Sequence, residues 1–165
     1  MDIFSHGLYG GIATGRKSKK NYWIALLFGM GPDLLSFGPF FLINFFKFES
    51  WFGQKFGPPD PASIPNIVHN FYDFTHSLII YFIFFALLWW LGKKDFAKLT
   101  LAWPLHILVD IPTHSNAFFP TPFLWPISNF SIDGIPWSNP VIFIPNVILI
   151  IILYSYWYLK RKNRV

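Results

Sequence analysis

The chain has 165 residues, of which 53% are hydrophobic and only 13% are charged, so its composition excludes an ordinary water-soluble domain. Its 21 Phe and 8 Trp residues exceed what a core surrounded by water could bury in a chain of this size. We therefore predict a single membrane-embedded domain over residues 1–165. The net charge of +5 fits basic flanks beside membrane spans better than nucleic-acid binding.

The N-terminal segment, residues 2–14, is too short to cross a membrane. Gly7, Gly10 and Gly11 interrupt its apolar residues, and Gly15 and a basic cluster follow it, which is not the pattern of a signal peptide. We predict that it is a short helix that dips into the protein from the cytoplasmic face. His6 would then lie within the membrane.

Four later stretches, each of roughly 20 residues, are long enough to cross a hydrocarbon core: 24–46, 75–91, 99–119 and 141–159. Gly31 and Pro32 precede Asp33 in the first, and Pro104 and Pro112 lie in the third, so both should be kinked or discontinuous. The predicted fold class is all-α. It is an integral membrane bundle of four transmembrane helices with the short N-terminal helix.

Most of the Lys and Arg residues lie in three clusters, within residues 16–20, 93–98 and 160–164. All three clusters fall on one side of the membrane if four helices span it. The loops on the other side contain Glu49, Asp60, Asp73 and Asp133 but only two lysines. The positive-inside rule then predicts a multi-pass protein of the cytoplasmic membrane with both termini in the cytoplasm.

His106 and Asp110 are four residues apart, so a helix places them on one face and within reach of one ion. A carboxylate near the bilayer centre costs ~2.5 to 3.5 kcal/mol, and it therefore usually faces the protein interior with a partner. Asp33 lies in the first predicted span and should need a partner for the same reason. Because cysteine is absent, nitrogen and oxygen atoms must hold any metal. The alternatives are a metal-free His–carboxylate hydrogen bond and, for Asp33, a helix cap.

The depth of each residue can be estimated at about 1.5 Å per residue from its basic flank. Four residues come out between about 12 and 18 Å from the cytoplasmic face: His6, Asp33, His106 and Asp110. His76 and His114 come out near 24 Å, one helical turn further. These six side chains could share one site in the outer half of the membrane. Simpler interpretations remain open: His6 and His76 as terminal or interfacial polar residues, and Asp73 and His69 as solvated loop residues.

Several motifs resemble those of the small membrane-bound metal-dependent hydrolases of bacteria and archaea. They are His6-Gly7, Gly31-Pro32-Asp33, Thr75-His76-Ser77, His106-x3-Asp110-x2-Thr113 and Leu124-Trp125-Pro126-Ile127-Ser128. The resemblance covers most of residues 1–130. That family is distantly similar to the zinc-dependent phospholipase C and nuclease group, which is all-helical and uses an ordered series of His and Asp ligands. The resemblance implies the metal ligands His6, Asp33, His76, His106 and Asp110.

The chain departs from the family pattern at two places. Leu35 stands where members often carry a second acid, and Phe71-Tyr72-Asp73 stands where many have His-Arg-Gly. The first difference weakens the case for several metal ions. The second removes an Arg that could clamp a phosphate.

Together these observations predict a hydrolase in which Zn²⁺ or a similar ion activates a water molecule. Asp73 and His114 are the candidates for the general base. A site in the outer half of the membrane favours a lipid phosphoester as substrate, with membrane lipids as partners. A metal or proton carrier is one alternative, but residues 99–103 offer no polar path inward. A non-catalytic scaffold held together by buried polar residues is another.

Overall fold

The computed structural model describes residues 1–46 and 64–162. This part of the chain is helical, contains no β-strand, and bears out the all-α prediction. Its helices are α1 (Ile3–Thr14), α2 (Lys19–Ser36), α3 (Gly38–Phe46), α4 (Asn66–Thr75), α5 (Leu78–Trp90), α6 (Lys94–Thr100), α7 (Ala102–Thr113) and α8 (Pro140–Lys162). The charged residues predicted in the first outer loop, Lys47, Glu49, Lys55 and Asp60, lie outside the described residues.

The helix α1 packs closely along α2, and α7 and α8 also contact it. Small residues make the close approach possible, because a Cβ atom added at Gly29 would collide with the backbone carbonyl of His6. A Cβ atom at Gly10 would likewise press on the carbonyl of Ala25. Asp2 begins α1 by accepting the backbone N–H of Ser5 at 2.9 Å. The packing carries His6 deep between the helices.

Helix α2 continues through Pro32 and ends at Ser36, so the discontinuity of the first predicted span lies at Phe37 rather than at Pro32. Pro39 lies two residues after the break, and proline has no N–H to donate to the carbonyl four residues earlier. The carbonyl of Pro32 accepts hydrogen bonds from Ser36 (2.8 Å) and from Thr75 (3.2 Å). Asp33 is therefore an interior helical residue and not the cap of a second half-helix.

The second predicted span, residues 75–91, starts at a bend, and a further helix, α4, precedes it. Helices α4 and α5 meet at 55°, and His76 and Ser77 form the bend. The Ser77 hydroxyl accepts the N–H of Ile80 at 3.2 Å and donates to the carbonyl of Trp125. This cap begins a new helix directly after His76. The imidazole is thereby left at the break between the two helices.

The third predicted span is also divided, with α6 and α7 separated at Leu101 and α7 ending at Thr113. These breaks agree with the distortion expected from Pro104 and Pro112. The segment that follows turns back on the end of α7. Backbone N–H groups of Gly134 and Ile135 donate to the carbonyls of His114 (2.8 Å) and Pro112 (3.0 Å). These bonds satisfy acceptors that the end of a helix leaves free.

Helix α8 has 23 residues, a mean hydropathy of 2.0 over its most apolar window, and only 6% of that window is buried. Among the helices of residues 1–46 and 64–162, it is the one long and apolar enough to cross a membrane alone. The bent pair α4 and α5 adds a second if it acts as one span. The helices thus provide one or two candidate spans rather than four, because the first and third predicted stretches are each divided.

Candidate metal centre

Four potential metal ligands from three parts of the chain converge: Asp33 of α2, His76 at the bend, and His106 and Asp110 of α7. One ligand atom of each lies within 4.8 Å of the ligand atoms of the other three. The side chains of His76, His106 and Asp110 are completely buried, whereas that of Asp33 is 14% exposed. The geometry fits a single small cation.

The shortest distances in this cluster involve Nε2 atoms. Nε2 of His106 lies 3.0 Å from Nε2 of His76 and 3.1 Å from Oδ2 of Asp110. Nε2 of His76 lies 3.5 Å from both Oδ2 of Asp110 and Oδ1 of Asp33. These four atoms therefore surround one small space.

The other nitrogen of each ring is held by the backbone. Nδ1–H of His106 donates to the carbonyl of Gly29 at 2.7 Å, and Nδ1–H of His76 donates to the carbonyl of Tyr72 at 3.1 Å. A carbonyl oxygen can only accept, so the proton of each neutral ring is on Nδ1. The lone pairs of both Nε2 atoms then point into the cluster. Backbone orientation of this kind is typical of histidines that bind metal.

A cluster of lone pairs requires a positive charge. Oδ2 of Asp110 is buried and has no hydrogen-bond partner within the described part of the chain. The amino group of Met1 contacts Oδ1 of Asp110, but no Lys or Arg side chain of residues 1–46 or 64–162 contacts Asp33 or Asp110. Two carboxylates and two imidazole lone pairs are a donor set that suits a divalent ion such as Zn²⁺.

Asp110 has a second set of neighbours around its other oxygen. Oδ1 lies 2.9 Å from Nε2 of His6 and 3.4 Å from Nε2 of His114, and it also contacts the amino group of Met1. The His6 ring stacks on that of His106 with 3.6 Å between ring centroids. Nδ1 of His6 is buried with no hydrogen-bond partner among the described residues. Asp110 therefore links His6 and His114 to the four-residue cluster.

The two residues predicted as general bases are placed differently. His114 lies at the edge of the cluster, 11% exposed, and its Nδ1–H donates to the carbonyl of Phe119 at 2.9 Å. This bond directs its Nε2 towards Asp110. Asp73 lies on α4, and within the described part of the chain no hydrogen bond or ion pair joins it to the cluster.

Two supporting residues are absent from the sequence-based prediction. The Tyr72 ring stacks on His76 with 3.8 Å between centroids, while its hydroxyl donates to the carbonyl of Phe119 at 3.0 Å. Gly29 supplies both the carbonyl that orients His106 and the space for α1. Tyr72 precedes His76 by one helical turn, and this spacing was the available signal. No signal in the sequence identified Gly29, because its role depends on which helix packs against α2.

Comparisons with known proteins identify a family for this chain but no activity. No curated protein and no solved structure shows a significant match to the chain. The resemblance to metal-dependent hydrolases therefore depends on the short motifs alone. One family model, described as YdjM inner membrane protein, matches residues 1–165. Its membrane location explains why so many large apolar side chains are exposed, and the chain belongs to the YdjM inner membrane protein family.

Proposed function

We propose that this inner membrane protein is a metal-dependent hydrolase that acts on a phosphoester such as a lipid headgroup. The observation that supports the proposal best is the pair of Nε2 lone pairs, on His76 and His106, that face each other beside Oδ2 of Asp110. With Asp33 they form the ligand set for one ion, Zn²⁺ or similar. His6 contributes through Asp110 or as a further ligand.

A bound divalent cation would supply a Lewis acid that lowers the pKa of water towards about 7 and polarises a phosphoryl oxygen. The protein has to hold the ligands in place and leave one side open. Asp33 is the one member of the ligand set with a partly exposed side chain. We therefore expect water and substrate to approach beside Asp33.

Proton transfer is assigned to His114. Its fixed Nδ1–H leaves Nε2 as the proton-accepting atom, which lies 3.1 Å from the amino group of Met1 and 3.4 Å from Oδ1 of Asp110, beside the ligand set rather than inside it. Asp73 stays the second candidate. A carbonyl holds the proton of His114 on Nδ1 in the same way as it does for the ligand histidines.

The proposed membrane arrangement retains four passes, three of them broken: α2 with α3, α4 with α5, and α6 with α7, followed by α8. Broken helices are tolerated at membrane depth where they line a polar interior, and each of the first three pairs carries a ligand of the cluster. The three basic clusters then lie on the cytoplasmic side together with the C-terminus, whereas the amino group of Met1 contacts Asp110 inside the bundle.

Transport of a metal or proton is the second possibility. A carrier needs polar residues that continue to both faces of the membrane. On the inner side of His106, α7 presents Pro104 and Ala102, which are buried and apolar. This closed side favours a hydrolase over a carrier.

The test is metal analysis joined to an activity screen. Purified protein in detergent should carry near-stoichiometric zinc and hydrolyse bis(p-nitrophenyl) phosphate or a labelled phospholipid. Asp110→Asn, which keeps the size but removes the charge, should lose both. Lys93→Gln, at an exposed turn, should change neither.

Three results would contradict the proposal. Full zinc content in Asp110→Asn would show that Asp110 is not a zinc ligand. Zinc-loaded protein that hydrolyses none of the phosphoesters would refute the substrate class, and metal-free protein that is folded would favour a scaffold.

A further inference from the structure

A polar cavity lies far from the metal centre, between the α1–α2 turn and the C-terminal end of α8. Its volume is about 820 Å³. The turn contributes Arg16 and Lys17, the start of α2 contributes Lys19, and α8 contributes Lys160 and Arg161. Lys19 begins α2 whereas Asp33 lies near its other end, so the two sites are roughly 20 Å apart along the helix.

The charges around this cavity are not neutralised. None of its lining residues is acidic. Among the Lys and Arg side chains that the structure describes, only Lys98 forms an ion pair, with Asp95 at 3.0 Å. Helix α2 also begins here, with Ser18 as its N-cap, so the positive end of its dipole adds to the field. The cavity therefore attracts an anion.

Contacts between aromatic side chains fix the shape of the cavity. The ring of Tyr22 stacks on Trp157 with 5.5 Å between centroids, and its hydroxyl lies 2.8 Å from that of Tyr154. The guanidinium of Arg161 lies 6.0 Å from the centroid of Trp157. These contacts join residues of α2 and α8 that are distant in the sequence. They place the Arg161 guanidinium over the face of the Trp157 ring.

We infer that this cavity binds the headgroup of an anionic glycerophospholipid. The apolar run of α8 ends directly before Lys160, so the cavity lies where hydrocarbon gives way to headgroups. Trp23 lines the cavity and is 54% exposed, as expected for a side chain that contacts acyl chains at the interface. Basic pockets between helices on the cytoplasmic side are typical sites for anionic lipid headgroups.

The test uses the full chain in detergent and native mass spectrometry during titration with phosphatidylglycerol or phosphatidylcholine. The natural sequence should retain phosphatidylglycerol about tenfold better than phosphatidylcholine. The triple variant Lys19→Gln, Lys160→Gln, Arg161→Gln should lose this preference. Its three side chains are exposed, so its melting temperature without added lipid should be unchanged.

The matched control removes three charges elsewhere, with Lys93→Gln, Lys94→Gln and Lys98→Gln. It should keep the preference, because these residues do not line the cavity. Trp157→Leu keeps every charge but removes the ring under Arg161, and should weaken retention several-fold.

Three results would overturn the inference. The first is equal loss of preference in the two triple variants, which would indicate general surface charge. The second is full retention in Trp157→Leu. The third is displacement of the lipid by an equal concentration of glycerol phosphate, which would indicate a soluble phosphate ligand.

Discussion

The Nε2 atoms of His76 and His106 lie 3.0 Å apart, although each ring donates its Nδ1–H to a backbone carbonyl. Two neutral imidazoles in this arrangement direct lone pairs at each other. The contact is stable only if a proton or a metal ion lies between them and the neighbouring carboxylates.

Zinc should stabilise the fold. An ion that binds only the folded state adds about 2.7 kcal/mol when its concentration is one hundred times the dissociation constant. The melting temperature in detergent should therefore rise as zinc is added to chelator-treated protein. His106→Ala, which removes a buried ligand, should abolish the rise. A zinc-independent melting temperature in the natural sequence would contradict the metal centre.

The close packing of α1 on α2 should be sensitive to one methyl group. Gly29→Ala would place a Cβ atom against the carbonyl of His6, so we expect destabilisation of about 1–3 kcal/mol and weaker zinc binding. Leu35→Met is the control on the same helix, because the Leu35 side chain is 55% exposed and the change conserves volume. The control should have little effect on stability or on zinc binding. Equal effects in both variants would argue against the packing role.

The two candidate bases can be separated by kinetics. His114→Ala should keep the zinc content and lower kcat by about 10²- to 10⁴-fold, because only the proton acceptor is lost. Asp73→Ala should leave kcat and zinc content close to normal, since Asp73 has no bond to the cluster in the described part of the chain. A large loss of kcat in Asp73→Ala with normal activity in His114→Ala would reverse the assignment.

The membrane arrangement is open to a direct measurement because the chain contains no cysteine. Single substitutions Lys93→Cys and Ser138→Cys place one thiol at each of two exposed turns. In intact cells an impermeant maleimide applied outside the inner membrane should label Ser138→Cys only. Both should react after the membrane is opened. Labelling of both positions from the outside would rule out the proposed four passes.

The asparagine of α8 provides a further check on the fold. Asn146 is buried, donates to the hydroxyl of Ser5 at 2.8 Å, and accepts from the hydroxyl of Tyr9 at 2.8 Å. Asn146→Leu should lower stability by about 1–3 kcal/mol, because both hydroxyls lose a partner. Ile148→Leu, at a half-exposed position of the same helix, should have little effect in the same melting experiment.

Local spacing predicted part of the site. The interval of four residues between His106 and Asp110 is enough to place both on one helix face, and the structure puts Nε2 and Oδ2 3.1 Å apart. The rise per residue likewise placed Asp33 at the level of Asp110. These inferences need only regular helix geometry, which short-range sequence determines.

The positions of the breaks were harder to predict. Proline suggested a break at Pro32, yet α2 continues through it and ends at Ser36. Thr75, which comes from another helix, packs against this turn and donates to the Pro32 carbonyl. Such long-range contacts are not contained in the sequence near Pro32, so the position of the break in the first predicted span was not predicted.

By itself, the sequence determined that this chain is helical, lipid-exposed and supplied with His and Asp residues at matching depths. The amino-acid composition determines whether a chain is stable in water or in lipid. The spacing of residues along a helix determines which side chains lie on the same face. Only the tertiary structure decided that the histidine protons are held on Nδ1 by the carbonyls of Gly29 and Tyr72. It also decided that Asp110 faces two sets of histidines, because those contacts join helices that are far apart along the chain.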